Sequence, residues 1–305
     1  MMFGFRDKFV YLECLECGCL QISQIPTDMA KYYPVGYYSF SAAHPEKNRR
    51  NSRAKEWLQK RRDNFVVFKK SLLGRMINWI YPNKYFKSHF SGLNDVFTFT
   101  QDSRILDVGC GNGSFLRCVR AWGVTNCLGV DPYIEEDIDY PDGAKVIRGT
   151  ISDLDQEFDL ITFHHSFEHI ADPIETLKSV HRLLSKKGIC LIRIPTVSSY
   201  AWEHYRENWV QLDAPRHFFL YSVQSIHLLA KKAKLKLLKV VYDSGVSQFA
   251  DSEQYLRDIP MVSDKSHSKK NPLFTKKQMR AFKKKARQLN SSNQGDQAAF
   301  YLQKN

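Results

Sequence analysis

A chain of 305 residues with 43% hydrophobic content, 20 Phe, 15 Tyr and 5 Trp is long enough to bury a substantial core. Its formal net charge of +13 attracts polyanions of several kinds and names none of them. No apolar run reaches membrane-span length, charges interrupt the first residues where a secretory signal needs an apolar stretch, and seven cysteines, an odd number, fit reduced thiols better than a disulfide framework. Cytoplasmic residence is the expectation.

Residues 1–45 read as a small Cys/Tyr-rich module. In ECLECGCLQ, Cys14 and Cys17 have the spacing of half a zinc knuckle, but tetrahedral zinc needs four ligands and no second pair is present, so a structural hairpin without metal is expected. Tyr32, Tyr33, Tyr37 and Tyr38 are either packed aromatics or a lid over a ligand. Residues 46–100 are strongly basic, and apolar spacing at Trp57, Phe65, Phe68, Leu72, Leu73 and Ile77 predicts one or two amphipathic helices. The simpler reading of their charge is a solvated face on a helix covering a sheet; the functional one is contact with an anionic membrane surface or a polyanionic substrate.

From residue 101 to 305 the pattern is that of a single large domain. RILDVGCGNG (104–113) is a buried strand ending in a turn with Gly109, Gly111 and Gly113, followed by the helical spacing of SFLRCVRAW. Glycine lets the backbone take positive φ and approach a ligand closely, so a nucleotide-like cofactor is implied. The dinucleotide fingerprint G-x-G-x-x-G is broken by Ser114, which disfavours an oxidoreductase. CLGVD (127–131) then puts Asp131 at the end of the next strand, where an acid can accept both hydroxyls of a ribose.

On these residues the chain resembles the class I S-adenosylmethionine-dependent methyltransferases. The resemblance implies that Asp107, Gly109, Cys110, Gly111 and Gly113 form their first motif and that Asp131, with Pro132, holds the ribose. Gly149 to Asp153, with Ile151 and Ser152, stand where that family packs adenine, and FDLITFHHSFEHIADP (158–173) is similar to its fourth strand and loop, with His164 as a cofactor or packing contact. The implied fold is α/β, a Rossmann-like doubly wound seven-stranded sheet with an antiparallel last strand, plus the small N-terminal module. The implied cofactor is S-adenosylmethionine.

Asp172, Pro173 and Glu175 predict a capped helix start, the helix running to Lys187 before Gly188 and the strand ICLIRIP. SSYAWEHYRENWVQLDAPRHFFLYS (198–222) opens an aromatic insert, taken to residue 260, expected to line the acceptor pocket. KLLKVVYDSG and GDQAAFYLQK are the expected last strands, with an exposed Lys-rich helix between them.

Methyl transfer is an in-line displacement, so the protein positions the acceptor and removes a proton where needed. His165, Glu168 and His169 cluster after the fourth strand, and His217, preceded by Pro215 and Arg216, is the preferred general base. In some quinone-precursor O-methyltransferases a comparable loop binds a divalent cation, an arrangement open to His165, Glu168 and His169, but no metal is assigned. The loop lacks the Asn- or Asp-Pro-Pro-aromatic motif of DNA amino-methyltransferases, and no Pro-Cys nucleophile of a cytosine C5 enzyme is present. ECLECGCLQ, DAPRHFFLYS and SQFADSEQYLRDIP carry a narrower resemblance to bacterial methyltransferase-domain proteins of surface-polysaccharide synthesis. That likeness implies a small-molecule or glycan acceptor, a sugar hydroxyl or amine that is nucleotide- or lipid-linked. The rival is an RNA methyltransferase or RNA-binding protein using the basic helices, disfavoured because no RNA-binding signature accompanies the charge.

Overall fold

The computed structural model describes residues 2–33, 52–90, 92–262 and 273–305; Tyr37 and Tyr38 lie outside them. Apolar strand segments separated by capped helices build an eight-stranded sheet. Its strands are β3 (Arg104–Val108), β4 (Asn126–Asp131), β5 (Ile138–Asp139), β6 (Lys145–Arg148), β7 (Phe158–His164), β8 (Leu184–Pro195), β10 (Leu235–Tyr242) and β11 (Gln297–Lys304), in the order β10-β11-β8-β7-β3-β4-β6-β5. β6, β4, β3, β7 and β8 are parallel, whereas β11 runs antiparallel between β8 and β10.

The seven expected strands are present with the antiparallel last strand among them, and β5 is an eighth. The signal for it is Pro141-Asp142-Gly143: Gly143 sits at φ +84°, the Tyr140 amide donates to the Ala144 carbonyl at 2.9 Å, and the turn folds Ile138 back beside Val146.

Helices cover both faces. On one, α5 (Pro173–Leu183) and α7 (Val223–Lys232) bury Leu177, Val180 and Ile226 against Ile161, Phe163 and Phe300. On the other, α1 (Arg53–Phe68), α3 (Lys84–His89) and α4 (Ser114–Ala121) bury Val67, Phe86 and Leu116 against Ile105, Leu160 and Tyr301. Residues 52–90 hold three helices rather than one or two, because Lys69 in the left-handed conformation ends α1, Ser71 starts α2 (Leu72–Ile80), and Asn83, accepting from the Phe86 amide at 2.9 Å, starts α3. α5 begins as expected, with the Asp172 carboxylate accepting from the Glu175 amide, but ends at Leu183 instead of Lys187. Leu184 already pairs with Phe158, and Ser185 donates to Asp159, so residues 185–188 are drawn into a strand irregularity instead of a last helical turn.

A second, three-stranded sheet joins two distant parts of the sequence: β1 (Tyr11–Glu13), β2 (Leu20–Ile22) and β9 (Phe219–Leu220). Cys14 to Cys19 form the hairpin between β1 and β2, closed by Gly18 N–H to Cys14 O and Cys14 N–H to Cys19 O. Beneath this sheet lies a third apolar cluster with Leu20, Trp209, Leu220 and Phe249, to which α6 (Tyr200–Tyr205), α8 (Ser247–Leu256) and the basic α9 (Lys276–Ser291) contribute. Within residues 198–260, α7 and β10 therefore belong to the sheet layers, leaving 198–222 and α8 to build the cover over the strand ends.

Phe300 lies on β11 between two strands and is fully buried. Phe300→Ala is expected to cost about 3–5 kcal/mol of stability, read as a lowered urea midpoint at unchanged slope.

Candidate active site

Three loops leave the carboxyl ends of β3, β7 and β8 on one edge of the sheet, the edge where open α/β sheets bind ligands. In the first, Gly109, Gly111 and Gly113 all have positive φ, +70°, +54° and +71°. A Cβ on Gly109 would collide with Ser166, whose hydroxyl donates to the Val108 carbonyl at 2.6 Å, and one on Gly113 would meet Val146 at 2.6 Å. Cys110 packs its sulfur over Gly129 of β4, and burial pushes its thiol pKa well up.

Asp131 is buried at the end of β4. One of its oxygens accepts from Gly111 N–H at 2.8 Å and the other from Tyr133 N–H at 2.9 Å, while Pro132 between them is exposed. A carboxylate has about four lone-pair sites, so two remain for a vicinal diol. Asp107, also buried, accepts from the Thr162 hydroxyl at 2.7 Å, and burial raises its pKa to about 7. Ile151 is buried and Ser152 exposed at a turn closed by the Asp153 carboxylate on Thr150 N–H at 2.7 Å. The glycine cradle, the carboxylate with spare lone pairs and this apolar shelf fit an adenosine-bearing cofactor.

The loop after β7 holds the titratable groups. His164 turns into the α3 side, 4.5 Å from Phe115 and 5.4 Å from His89 between ring centroids, and neither ring nitrogen has a hydrogen-bond partner. His165 is a non-glycine residue at φ +54°. Arg193 lies 3.1 Å from its Nε2 and can only donate, so Nδ1 carries the proton and faces Glu168 Oε1 at 3.6 Å.

Glu168 is wholly buried, and neither carboxylate oxygen has a hydrogen bond. Burial alone would raise its pKa, but the imidazoles of His165, His169 and His217 outweigh it and hold the group down to about 2. His169 Nδ1 donates to Arg216 O at 2.7 Å and His217 Nδ1 to Gln211 O at 2.8 Å, so each presents Nε2 as the free lone pair. His217 Nε2 is 3.9 Å from Glu168 and 3.7 Å from Asp213, and burial lowers its pKa to about 4, which leaves the ring neutral at pH 7. The Glu168 oxygen and two nitrogens of His169 and His217 lie within 4.8 Å of one another, a donor set that can also accept a cation.

The structure thus brings His165, Glu168, His169 and His217 together and leaves His164 outside their cluster. Sequence reading missed the groups that hold them: Thr162 on Asp107, Ser166 against Gly109, Arg193 on His165, Asp213 paired with Arg216 at 2.5 Å, and the Tyr11 hydroxyl donating to His217 O at 2.7 Å. The signal for two of them is a polar residue inside an otherwise apolar strand, Thr162 in FDLITFHH and Arg193 in ICLIRIP.

A parallel sheet with a glycine turn after its first strand and an acid with spare lone pairs after its second fits an S-adenosylmethionine-dependent methyltransferase, the class that the family match shows. Residues 83–240, more than half of the chain, match the methyltransferase domain family, and the chain belongs to it. A protein of Encephalitozoon cuniculi (strain GB-M1) named as a methyltransferase is 23% identical over 158 residues, 46% of this chain and 73% of that one. Similar solved structures include an S-adenosylmethionine-dependent methyltransferase from Thermotoga maritima, 18% identical over 80% of this chain and 100% of that one, with a TM-score of 0.47. Another is phosphoethanolamine N-methyltransferase 2 from Haemonchus contortus, 16% identical over 80% of this chain and 60% of that one, with a TM-score of 0.43.

Asp131→Asn keeps the shape but removes the charge and turns one of the two acceptors into a donor, and S-adenosylmethionine affinity by calorimetry is expected to fall about 10- to 100-fold, with some loss of melting temperature because one backbone N–H loses its acceptor. Asp107 is protonated up to about pH 7 when folded and only to 3.8 when unfolded. Its contribution is therefore fully present below pH 3.8 and lost as pH rises through about 7. Urea titrations of the unliganded protein across that range should show this loss, and Asp107→Asn should remove it.

Proposed function

We propose that the protein methylates a hydroxyl or amine of a small-molecule or glycan acceptor, nucleotide-linked or lipid-linked. The observation that carries this reading is the His217 Nε2 lone pair held beside the buried Glu168 carboxylate, at the edge where the glycine turn opens. S-adenosylmethionine, when bound, supplies a sulfonium methyl open to in-line attack. His217 takes the acceptor's proton as the new bond forms, and Glu168 stabilises the imidazolium that results. His165 and His169 flank Glu168 on its other sides, and the 198–222 segment brings His217 to it.

The likeness of DAPRHFFLYS and SQFADSEQYLRDIP to surface-polysaccharide methyltransferases supports a sugar as the methylated group, with basic side chains for the phosphates of its carrier. Incubation with methyl-labelled S-adenosylmethionine and a cell extract separated into nucleotide sugars, lipid-linked glycans, other small molecules and RNA is expected to label a sugar fraction; label in RNA alone overturns the reading. With the labelled acceptor in hand, His217→Ala is expected to leave cofactor affinity intact and lower kcat by about 10²-fold or more, and unchanged turnover would remove His217 from the mechanism.

A further inference from the structure

The α1–α2 hairpin combines high positive charge with an apolar face that nothing among the described residues covers. Residues 52–90 contain ten Lys and Arg against two acids, so eight of the chain's thirteen net positive charges fall in this segment. On α2, Leu72, Met76, Trp79 and Ile80 are 82%, 65%, 87% and 76% exposed. Their spacing, i, i+4, i+7 and i+8, puts them on one side of the helix. The opposite side is committed: Gly74 sits so close to the Arg61 carbonyl and Phe65 that a Cβ there would collide with α1. With that side packed on α1, the apolar stripe points away from the protein.

Charge surrounds the stripe. Lys69 and Lys70 precede α2, Arg75 borders the stripe on the helix itself, and Lys84 and Lys87 follow it. On α1, Trp57 is also exposed, with the Arg61 guanidinium over its ring at 5.3 Å.

We propose that this hairpin docks on an anionic lipid bilayer surface, α2 lying in the plane of the interface with its four large apolar side chains at the acyl-chain boundary and the flanking Lys and Arg against headgroup phosphates. α2 has nine residues, about 13 Å of helix, and a bilayer core is about 30 Å thick, so it lies on the membrane and does not span it. A second copy of the chain is a poorer occupant, because apposing two such faces brings two strongly basic patches together. A nucleic acid would satisfy the charge but has no use for a Leu-Met-Trp-Ile stripe. The charge and the stripe together match one surface, phosphate above hydrocarbon.

The placement also suits the chemistry without depending on it. α3 follows α2 after a short turn, and its His89 ring lies 5.7 Å from Phe115 and 5.4 Å from His164, beside the cofactor edge. Bilayer docking would hold that edge near acceptors carried in the membrane.

The test is co-sedimentation of the full chain with vesicles of phosphatidylcholine containing phosphatidylglycerol, against pure phosphatidylcholine, with tryptophan fluorescence as a second readout. Binding to the anionic vesicles, weakened by salt, is expected, with a blue shift of emission. Leu72→Ser/Trp79→Ser, both sites exposed, should lower vesicle affinity at least about tenfold while melting temperature and S-adenosylmethionine affinity stay unchanged; Lys70→Glu/Arg75→Glu should do the same by removing charge. The proposal is overturned if the wild type stays in the supernatant with anionic vesicles, if the serine variant binds them equally well, or if the serine variant merely turns a dimer into a monomer. None of these outcomes bears on which fraction takes label, so failure here and failure of the acceptor reading are separable.

Discussion

A carboxylate taken out of water costs several kcal/mol unless something nearby stabilises its charge, and Glu168 is taken out of water completely. The Nδ1–H of His165 points at it from 3.6 Å, and the imidazoles of His169 on its own loop and of His217 on the segment after β8 lie close by, able to offset the charge when they take up a proton. That last partner ties the cover to the sheet: Phe218 N–H donates to the Glu168 carbonyl at 2.9 Å, next to the histidine that faces the side chain. The Asp213–Arg216 pair then fixes the loop from behind. The loop after β7 and the segment after β8 thus meet around one buried carboxylate.

The cofactor side is organised by close approach. The turn after β3 and the loop after β7 come so near that only glycine fits at 109 opposite Ser166. The same turn donates Gly111 N–H to Asp131, which orients the carboxylate before any ligand arrives. Preorganisation of this kind spares the ordering cost at the moment of binding. The sulfur of Cys110, flanked by glycines, fills the space that Gly129 leaves open.

Much of this was legible in the sequence because it is local. The strand-turn-helix at 104–121, the acid closing β4 and the capped start of α5 are each written within a dozen residues, and their patterns translate directly into backbone geometry. What escaped was either a reversal or a long-range meeting. Phe65, Phe68, Leu72 and Leu73 share a helical period on paper, but the chain turns back at Lys69 to Ser71, so Phe68 goes into the core while Leu72 goes outward. Gly188 reads as a helix stop, yet pairing of Leu184 with Phe158 begins the strand earlier, an effect of the neighbouring strand that no local pattern contains. Glu168 and His217 are brought together only by the return of the chain after β8, and the Tyr11 hydroxyl on His217 only by the N-terminal hairpin.

That hairpin has a bearing on how the molecule is held together. β2 finds its partner in β9, Leu20 pairing with Leu220, so its edge is satisfied only by a strand about two hundred residues away in the sequence. The pairings of β3 with β4 and β7 span far fewer residues. The small sheet thus fastens Tyr11 onto His217 by joining two segments far apart in the sequence, and loss of either strand would release that hydroxyl from the histidine's carbonyl.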